Sequence, residues 1–404
     1  MRTGLIAALA RTEAGALRAD LPLAGRSVLA WQVALLREFG AERIICLCEG
    51  TAGEVLRLQH EVESAGVAFH ALNGFAALPA LVRAEDELII LRDGLVPDLA
   101  LAREMIGGHA MKAGGAALQK GVACLPADHP LAATHPEDFE RIDAARHWAG
   151  LLVMRGAPVQ QLADFPADAD AISVLLRLAL QAGTPCRELG PSDLAPETWL
   201  LAISDQAVAA HEAALINAAV PAPDWRAPIA SLAAVLVRSL APRGLGQGAL
   251  ITAATAALML LGGVFVAASG GAEGGLALAA AGGFAARVSG AYAALAARLR
   301  RRPEDGRKDA ALGLTVDAFA ALTLWFALAP WPDWAPLAVC GPIVIGLARL
   351  VSRDAETTLA AIASDRASLL LLLALAAWLG FLPETAALTA LALLAALLLR
   401  RRAN

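Results

Sequence analysis

The chain is poor in charge, lysine, aromatic rings and cysteine. Charged residues fill 18% of its 404 positions, against about 25% in an average soluble domain. That scarcity excludes intrinsic disorder, which needs high charge and few apolar residues. Five cysteines, a sparse and odd set, exclude a secreted scaffold held together by disulfides. Tyr occurs once, aromatics total 5%, and Lys stands only at Lys112, Lys120 and Lys308. There is no G-x-G-x-x-G, P-loop, G-x-S-x-G or H-E-x-x-H, so the common marks of dinucleotide binding, NTP hydrolysis, serine hydrolysis and zinc proteolysis are missing. What abounds is apolar: 58% of residues are hydrophobic, with a mean hydropathy of +0.58. Length and composition together point to a globular domain joined to a membrane domain.

The charge is divided unevenly. Residues 228–404 hold 15 Lys and Arg against 10 Asp and Glu, a net of +5, which leaves −10 on residues 1–227. An acidic first half argues against a nucleic-acid partner. Glu13, Arg18 and Asp20 interrupt the opening apolar run, so no signal peptide is expected and the first half should stay in the cytoplasm. Within it, short apolar runs at Gly4–Leu9, Arg43–Cys48, Val67–Leu72, Glu87–Arg92, Trp148–Val153 and Trp199–Ala202 read as strands. Helices are expected over 28–39, capped by Ser27 and closed by Gly40, and over 53–65 and 169–181. Alternating strands and helices predict an α/β domain with a mostly parallel sheet. Ligands in such folds bind beyond the carboxyl ends of strands, which directs attention to the loop after the first strand and to the Asp93-Gly94 turn. The Cys46-x-Cys48 pair and the cluster His129, His135, His147, Asp128 and Asp138 lack the spacing of a zinc site.

In the second half, Ile229, Leu232, Val235, Leu236 and Leu240 recur at helical spacing. Two readings are open: an interfacial helix lying on the bilayer, or a surface helix of the soluble domain. Apolar spans are expected at 249–268, 275–295, 310–329, 335–350, 367–382 and 386–399. Arg and Lys gather in alternate loops (Arg298–Lys308; Arg349, Arg353 and Arg366; the Arg400–Arg402 tail). By the positive-inside rule both termini are then cytoplasmic, with Trp331 and Trp334 at the outer interface. Arg287 and Asp317 fall inside spans, where ionisable groups are costly and functional by default. They either pair with each other, or Asp317 faces a polar cavity open to the cytoplasm.

Two stretches resemble known families. The run Leu21-Pro-Leu-Ala-Gly-Arg-Ser-Val-Leu, followed by a helix ending Gly40-Ala-Glu-Arg-Ile-Ile45, is similar to the sugar-phosphate nucleotidyltransferases. Their corresponding run is K-P-L-x-G-[KR]-P-L, behind a first strand and a Gly-rich phosphate loop. The strand ending at Asp93 resembles the family strand whose terminal Asp holds a metal ion. Residues 224–400 resemble the CDP-alcohol phosphatidyltransferases, whose signature is D-G-x2-A-R-x8-G-x3-D-x3-D. Fusions of the two domains are known and make phosphodiester-linked inositol phosphates and related products.

The chain departs from both patterns. The loop Leu9–Asp20 has one Gly, and Leu21 replaces the Lys, leaving Arg11 or Arg18 as substitute phosphate contacts. Ser289-Gly290-Ala-Tyr-Ala293-Ala294 stands where D-G-x2-A-R is required, and Asp309-x3-Gly313-x3-Asp317-x3-Ala321 where the later Gly and Asp series belongs.

The resemblance implies a cytoplasmic nucleotidyltransferase-like domain over 1–217, a linker and interfacial helix over 218–247, and a six-helix transmembrane domain over 248–404, in a bacterial inner membrane. It implies three functional expectations. One is a catalytically degenerate fusion serving as partner or regulator in polar head-group synthesis, with a homo- or heterodimer through the transmembrane domain. Another is an active CDP-alcohol phosphotransferase. Asp317 and Asp309 would then be catalytic, Asp93 and Asp317 would hold Mg²⁺, and Arg11, Arg18, Asp93 and Gly290 would bind nucleotide or CDP-alcohol. The third is a membrane anchor for a nucleotide- or sugar-phosphate-binding module. Membrane lipids are partners in all three.

Overall fold

The computed structural model describes residues 1–50, 53–107, 118–195, 197–219, 226–244, 247–299, 306–329, 336–352 and 358–400. Arg300–Arg302, Trp331, Trp334, Arg353 and Arg401–Arg402, used above to set topology, lie outside this range. So do the side chains of Arg307, Lys308, Asp309 and Arg400. The chain forms two compact units, Met1–Ala214 and Leu215–Asn404.

The first unit has strands β1 (Arg2–Ala8), β2 (Pro22–Leu23), β3 (Arg26–Ser27), β4 (Arg43–Cys48), β5 (Ala68–Leu72), β6 (Glu87–Leu91), β7 (Leu95–Pro97), β8 (Gly121–Pro126), β9 (Arg146–Arg155), β10 (Cys186–Glu188) and β11 (Trp199–Leu201). Its helices are α1 (Val28–Glu38), α2 (Gly53–Ser64), α3 (Leu78–Leu81), α4 (Leu99–Gly107), α5 (Pro130–Thr134) and α6 (Ala171–Gln181), followed by α7 (Asp205–Ala219). Seven strands form one sheet in the order β10-β8-β9-β6-β1-β4-β5. The strands β6, β1, β4 and β5 run parallel, and β9 is antiparallel to both β6 and β8.

The apolar runs form strands because the sheet is covered on both faces. Ile6, Ile44 and Ile89 pack in one layer with α1 and α2 residues such as Leu29, Leu36 and Leu58. Leu5, Ile45 and Ile90 pack in the other with Leu175 and Leu176 of α6. Ser27 caps α1 as expected, its side chain accepting the Ala30 N–H at 3.1 Å.

Two strands of the main sheet escape the sequence pattern, as do the short β2, β3 and β7. Gly121–Pro126 is framed by the residues that normally punctuate loops, and Cys186–Glu188 is a short polar edge. The Trp199–Leu201 segment does not join the main sheet; it pairs antiparallel with Leu95–Pro97.

The second unit is helical: α8 (Pro228–Gly244), α9 (Gly248–Ala268), α10 (Ala272–Leu299), α11 (Gly306–Leu328), α12 (Cys340–Val351), α13 (Thr358–Ser364), α14 (Arg366–Trp378) and α15 (Leu382–Arg400). Helix occupies part of every expected span. Among the described residues, three segments qualify by length and apolarity to cross a membrane: Gly248–Ala268, Ala310–Leu328 and Leu382–Leu399. Pro336–Val351 and Arg366–Trp378 are apolar but shorter, and α10 carries Glu273, Arg287 and Arg298 along its 28 residues. The six-span expectation therefore narrows to a helical region with three such helices.

Helices α9 and α10 approach closely because glycine leaves their backbones bare. A Cβ on Gly275 would lie 2.7 Å from the Ala267 backbone nitrogen. On α8 the apolar stripe faces outward, with Leu232 and Val235 exposed, while Ser231, Ala233, Val237 and Ala241 are buried. Asp365 is fully buried at the start of α14. It accepts from Ser368 Oγ at 2.8 Å and from the Ile229 N–H of α8 at 3.0 Å.

Candidate functional site

In the first unit, β1 and β6 are paired neighbours, so the Leu9–Asp20 loop and the Asp93 turn leave the sheet at the same edge. The turn is closed by the Leu95 N–H on the Arg92 carbonyl at 3.1 Å. Buried Gln32 of α1 fixes it further, its Nε2 donating to the Arg92 and Leu95 carbonyls at 2.7 and 2.9 Å. Gly94 takes φ +77° there, and the Arg18 side chain packs where a Cβ would be, 3.4 Å away.

Asp93 points back into the protein. Its Oδ2 accepts the N–H groups of Leu9 and Ala10, each at 2.6 Å, while Oδ1 is buried without a partner. Burial pushes its carboxyl up to about 6, against the opposing pull of those two N–H bonds and of Arg18 and Arg92. Arg18 is committed elsewhere. Its Nη1 and Nη2 donate to the two oxygens of Asp138 at 2.6 and 3.2 Å. Arg92 lies 3.7 Å from the same Asp138 and 6.0 Å from the centre of the Trp148 ring. Arg11 is exposed, donating to the Gly15 carbonyl at 3.0 Å and standing 3.7 Å from Glu49.

A divalent cation asks for several oxygen ligands at once. Asp93 has spent one oxygen on backbone donors, and the ions nearest it are guanidiniums of the metal's own sign. Among the described residues, no three His, Cys, Asp or Glu side chains gather to hold a metal. Mg²⁺ does not fit this site. His129 accepts from the Leu131 N–H, and His147 meets the Phe139 carbonyl. Cys46 and Cys48 are free, buried thiols, and the hydrogen bond between them, with burial, pushes the Cys46 thiol up.

In the second unit, a cavity of about 620 Å³ opens among α8, α10, α11, α12 and α14. Asp317 and three arginines line it. Arg349 Nη1 donates to Asp317 Oδ2 at 2.7 Å, and Arg366 Nε to Oδ1 at 2.7 Å. Arg366 also donates to the Ala363 carbonyl. Arg287 does not pair with Asp317; its Nη2 donates to the Ser364 carbonyl at 2.6 Å. Of the two alternatives for Asp317, the pair with Arg287 does not form; Asp317 lines the cavity, held between Arg349 and Arg366, which come from segments 32 and 49 residues further along.

Gly290 lines the cavity, but the neighbouring Ser289 does not. Its hydroxyl donates to the Ala249 carbonyl of α9 at 2.8 Å. Asp309 lies on α11, its side chain outside the described ones. Both Asp317 oxygens are taken by guanidiniums, which leaves it no free oxygen for a cation among the described side chains. The two arginines that matter were legible only as topology-setting cations; the usable signal was Arg349 inside an apolar run and Arg366 beside Asp365.

No protein-family model matches the chain, and no curated protein matches it. Among solved structures, the chain is similar to a glucose-1-phosphate thymidylyltransferase from Bacillus anthracis in complex with a sucrose. That likeness covers 52% of this chain and 96% of the other, at 12% identity and a TM-score of 0.38. It is also similar to the inositol-1-phosphate CTP transferase from T. maritima, over 48% of this chain and 91% of the other, at 14% identity and a TM-score of 0.34. The likeness lies in the N-terminal half and is one of architecture.

Proposed function

We propose that the protein is a catalytically silent fusion of a nucleotidyltransferase-like domain with a CDP-alcohol-phosphotransferase-like membrane domain, acting as partner or regulator of an active enzyme of polar head-group synthesis. One observation carries this reading. At both candidate sites the carboxylate that would hold a metal is occupied by the protein itself: Asp93 by the Leu9 and Ala10 N–H groups, Asp317 by Arg349 and Arg366. Asp317 so engaged has both oxygens committed to guanidiniums, and Asp93 keeps only Oδ1 to offer a cation.

The test uses the full chain in detergent. Titration with CTP and Mg²⁺ in a calorimeter is expected to give no binding heat. Incubation with a CDP-alcohol and Mg²⁺ is expected to release no CMP. Purification from the native membrane is expected to bring down a second, active transferase. Release of CMP that Asp317→Asn abolishes would overturn the reading, as would recovery of the protein only as a lone species.

A further inference from the structure

The first unit carries a pair of thiols that neither candidate site uses. Cys124 lies on β8 and Cys186 on β10, the strand at one edge of the main sheet. The two strands run parallel, with Cys186 aligned to Val122 and Glu188 to Cys124. Cys124 and Cys186 are thus diagonal neighbours, and side chains two positions apart along a strand share a face. The packing agrees. Val122 and Cys124 belong to the apolar layer of Trp148 and Leu175, and Cys186 packs against the same layer.

The two thiols differ in access. Cys124 is fully buried, whereas Cys186 is half-buried at the open edge. The Cys124 thiol meets the Val122 carbonyl at 3.4 Å, and its sulfur shares a hydrogen bond with Cys186. Burial and then that bond push the Cys124 thiol up, so it keeps its proton. The guanidinium of Arg146, at the start of β9, lies close enough to act on both sulfurs. It is itself oriented by Asp143, to which its Nε donates at 2.9 Å. A partly exposed thiol beside a cation, backed by a second thiol, is the setting in which cysteines react with oxidants.

We propose that Cys124 and Cys186 form a redox-active dithiol that hydroperoxides oxidise to a reversible disulfide. The Cys186 sulfur attacks one peroxide oxygen. The O–O bond breaks, and the leaving oxygen takes the Cys186 proton and departs as water or an alcohol. Cys186 is then a sulfenic acid. The Cys124 sulfur attacks the Cys186 sulfur; the S–S bond forms, the S–O bond breaks, and water leaves with the Cys124 proton. The peroxide gains two electrons and the two thiols lose them.

Diagonal neighbours in a sheet lie about 7–8 Å apart, whereas a disulfide asks for Cα atoms about 4.4–6.8 Å apart. The link therefore draws the two strands together by about 1 Å. Strand β10 has three residues and a neighbour on one side only, so it makes that shift without breaking a second ladder. No metal or nucleotide enters the reaction, which is therefore independent of whether the transferase sites are silent.

The experiment takes the full chain in detergent, reduced and then freed of reductant. Hydrogen peroxide is added in rising amounts, remaining thiols are alkylated, and the unreduced chain is cut with trypsin for mass spectrometry. Cleavage after Lys120, Arg141, Arg177 and Arg187 puts Cys124 and Cys186 in separate peptides. These two are expected to appear joined, two hydrogens lighter than their sum, before Cys46, Cys48 or Cys340 changes. Dithiothreitol is expected to release them. In Cys124→Ala, Cys186 is expected to stop at the sulfenic acid, which dimedone traps. In Cys186→Ser, which alters one atom at a half-buried edge position and should fold, oxidation of Cys124 is expected to slow at least tenfold.

Absence of the joined pair at every peroxide level would overturn the proposal. So would earlier oxidation of Cys340, a Cys46–Cys48 link that forms first, or a Cys124–Cys186 link found only between two copies of the chain. Unchanged oxidation of Cys124 in Cys186→Ser would overturn it too, because the buried thiol would then need no partner to react.

Discussion

Each unit clamps one carboxylate between two arginines, and the two clamps differ in what surrounds them. In the first unit Asp138 takes Arg18 and Arg92, and Asp93 lies close by, so two cations face two carboxylates. In the second, Asp317 takes Arg349 and Arg366, and a third arginine shares the cavity with no second carboxylate among the described residues lining it. The first arrangement is closed on itself: charge is balanced, and the loop that would receive a phosphate is tied to Asp93 through its own backbone. The second remains open and electropositive.

The largest expected effect comes from opening the second clamp. Arg366→Ala leaves Asp317 half-unpaired in an apolar bundle and should cost about 3–5 kcal/mol of stability. Thermal unfolding in detergent reads this directly. Adding Asp317→Asn to Arg366→Ala should restore much of the loss; a strictly additive double variant would show that the pair is not coupled.

The next prediction concerns the sealed site. The carboxyl of Asp93 titrates at about 6 in the folded protein, above the unfolded value of 3.8. Its contribution is therefore fully present below the unfolded value and is lost as pH rises through about 6. The shift is worth ~3 kcal/mol between those limits. Relative to the wild type, Asp93→Asn should gain stability by about that amount between pH 4 and pH 7.5. Denaturant unfolding of the Trp148 environment at the two pH values measures it, and a pH-independent difference would break the contrast drawn for the first unit.

The smallest effect is expected at Ser289→Ala. It removes one hydroxyl bond to Ala249 and should cost about 1 kcal/mol, read by thermal unfolding in detergent. An unchanged unfolding midpoint would show that this bond contributes nothing to the packing of α9 on α10.

The sequence made the sheet's centre visible because strands buried on both faces are unbroken apolar runs, as in Arg43–Cys48. It hid Gly121–Pro126, whose apolar run Val122–Leu125 is only four residues long between Gly121 and Pro126, and Cys186–Glu188, which carries no such run, and it hid the reversed direction of β9. Asp317 was legible as a charge inside an apolar segment. Its partners were not, because pairing across 32 and 49 residues leaves no periodic trace, and Arg349 and Arg366 equally suit a cytoplasmic loop. The orientation of Asp93 was illegible for a related reason. A strand-terminal Asp looks the same whether it faces a metal or turns toward the backbone of the neighbouring loop.

The bond from Ile229 to Asp365 ties two events that are far apart in time. Helix α8 leaves the ribosome before any of the long apolar helices, yet its anchor is made 136 residues later. At ordinary rates of synthesis the wait is on the order of ten seconds. During that interval the exposed leucines and valine of α8 have no assembled bundle to fix their register. A chain cut short before Asp365 should therefore present α8 as a free amphipathic segment, open to bilayer or chaperone, and completion of α14 is the step that locks it.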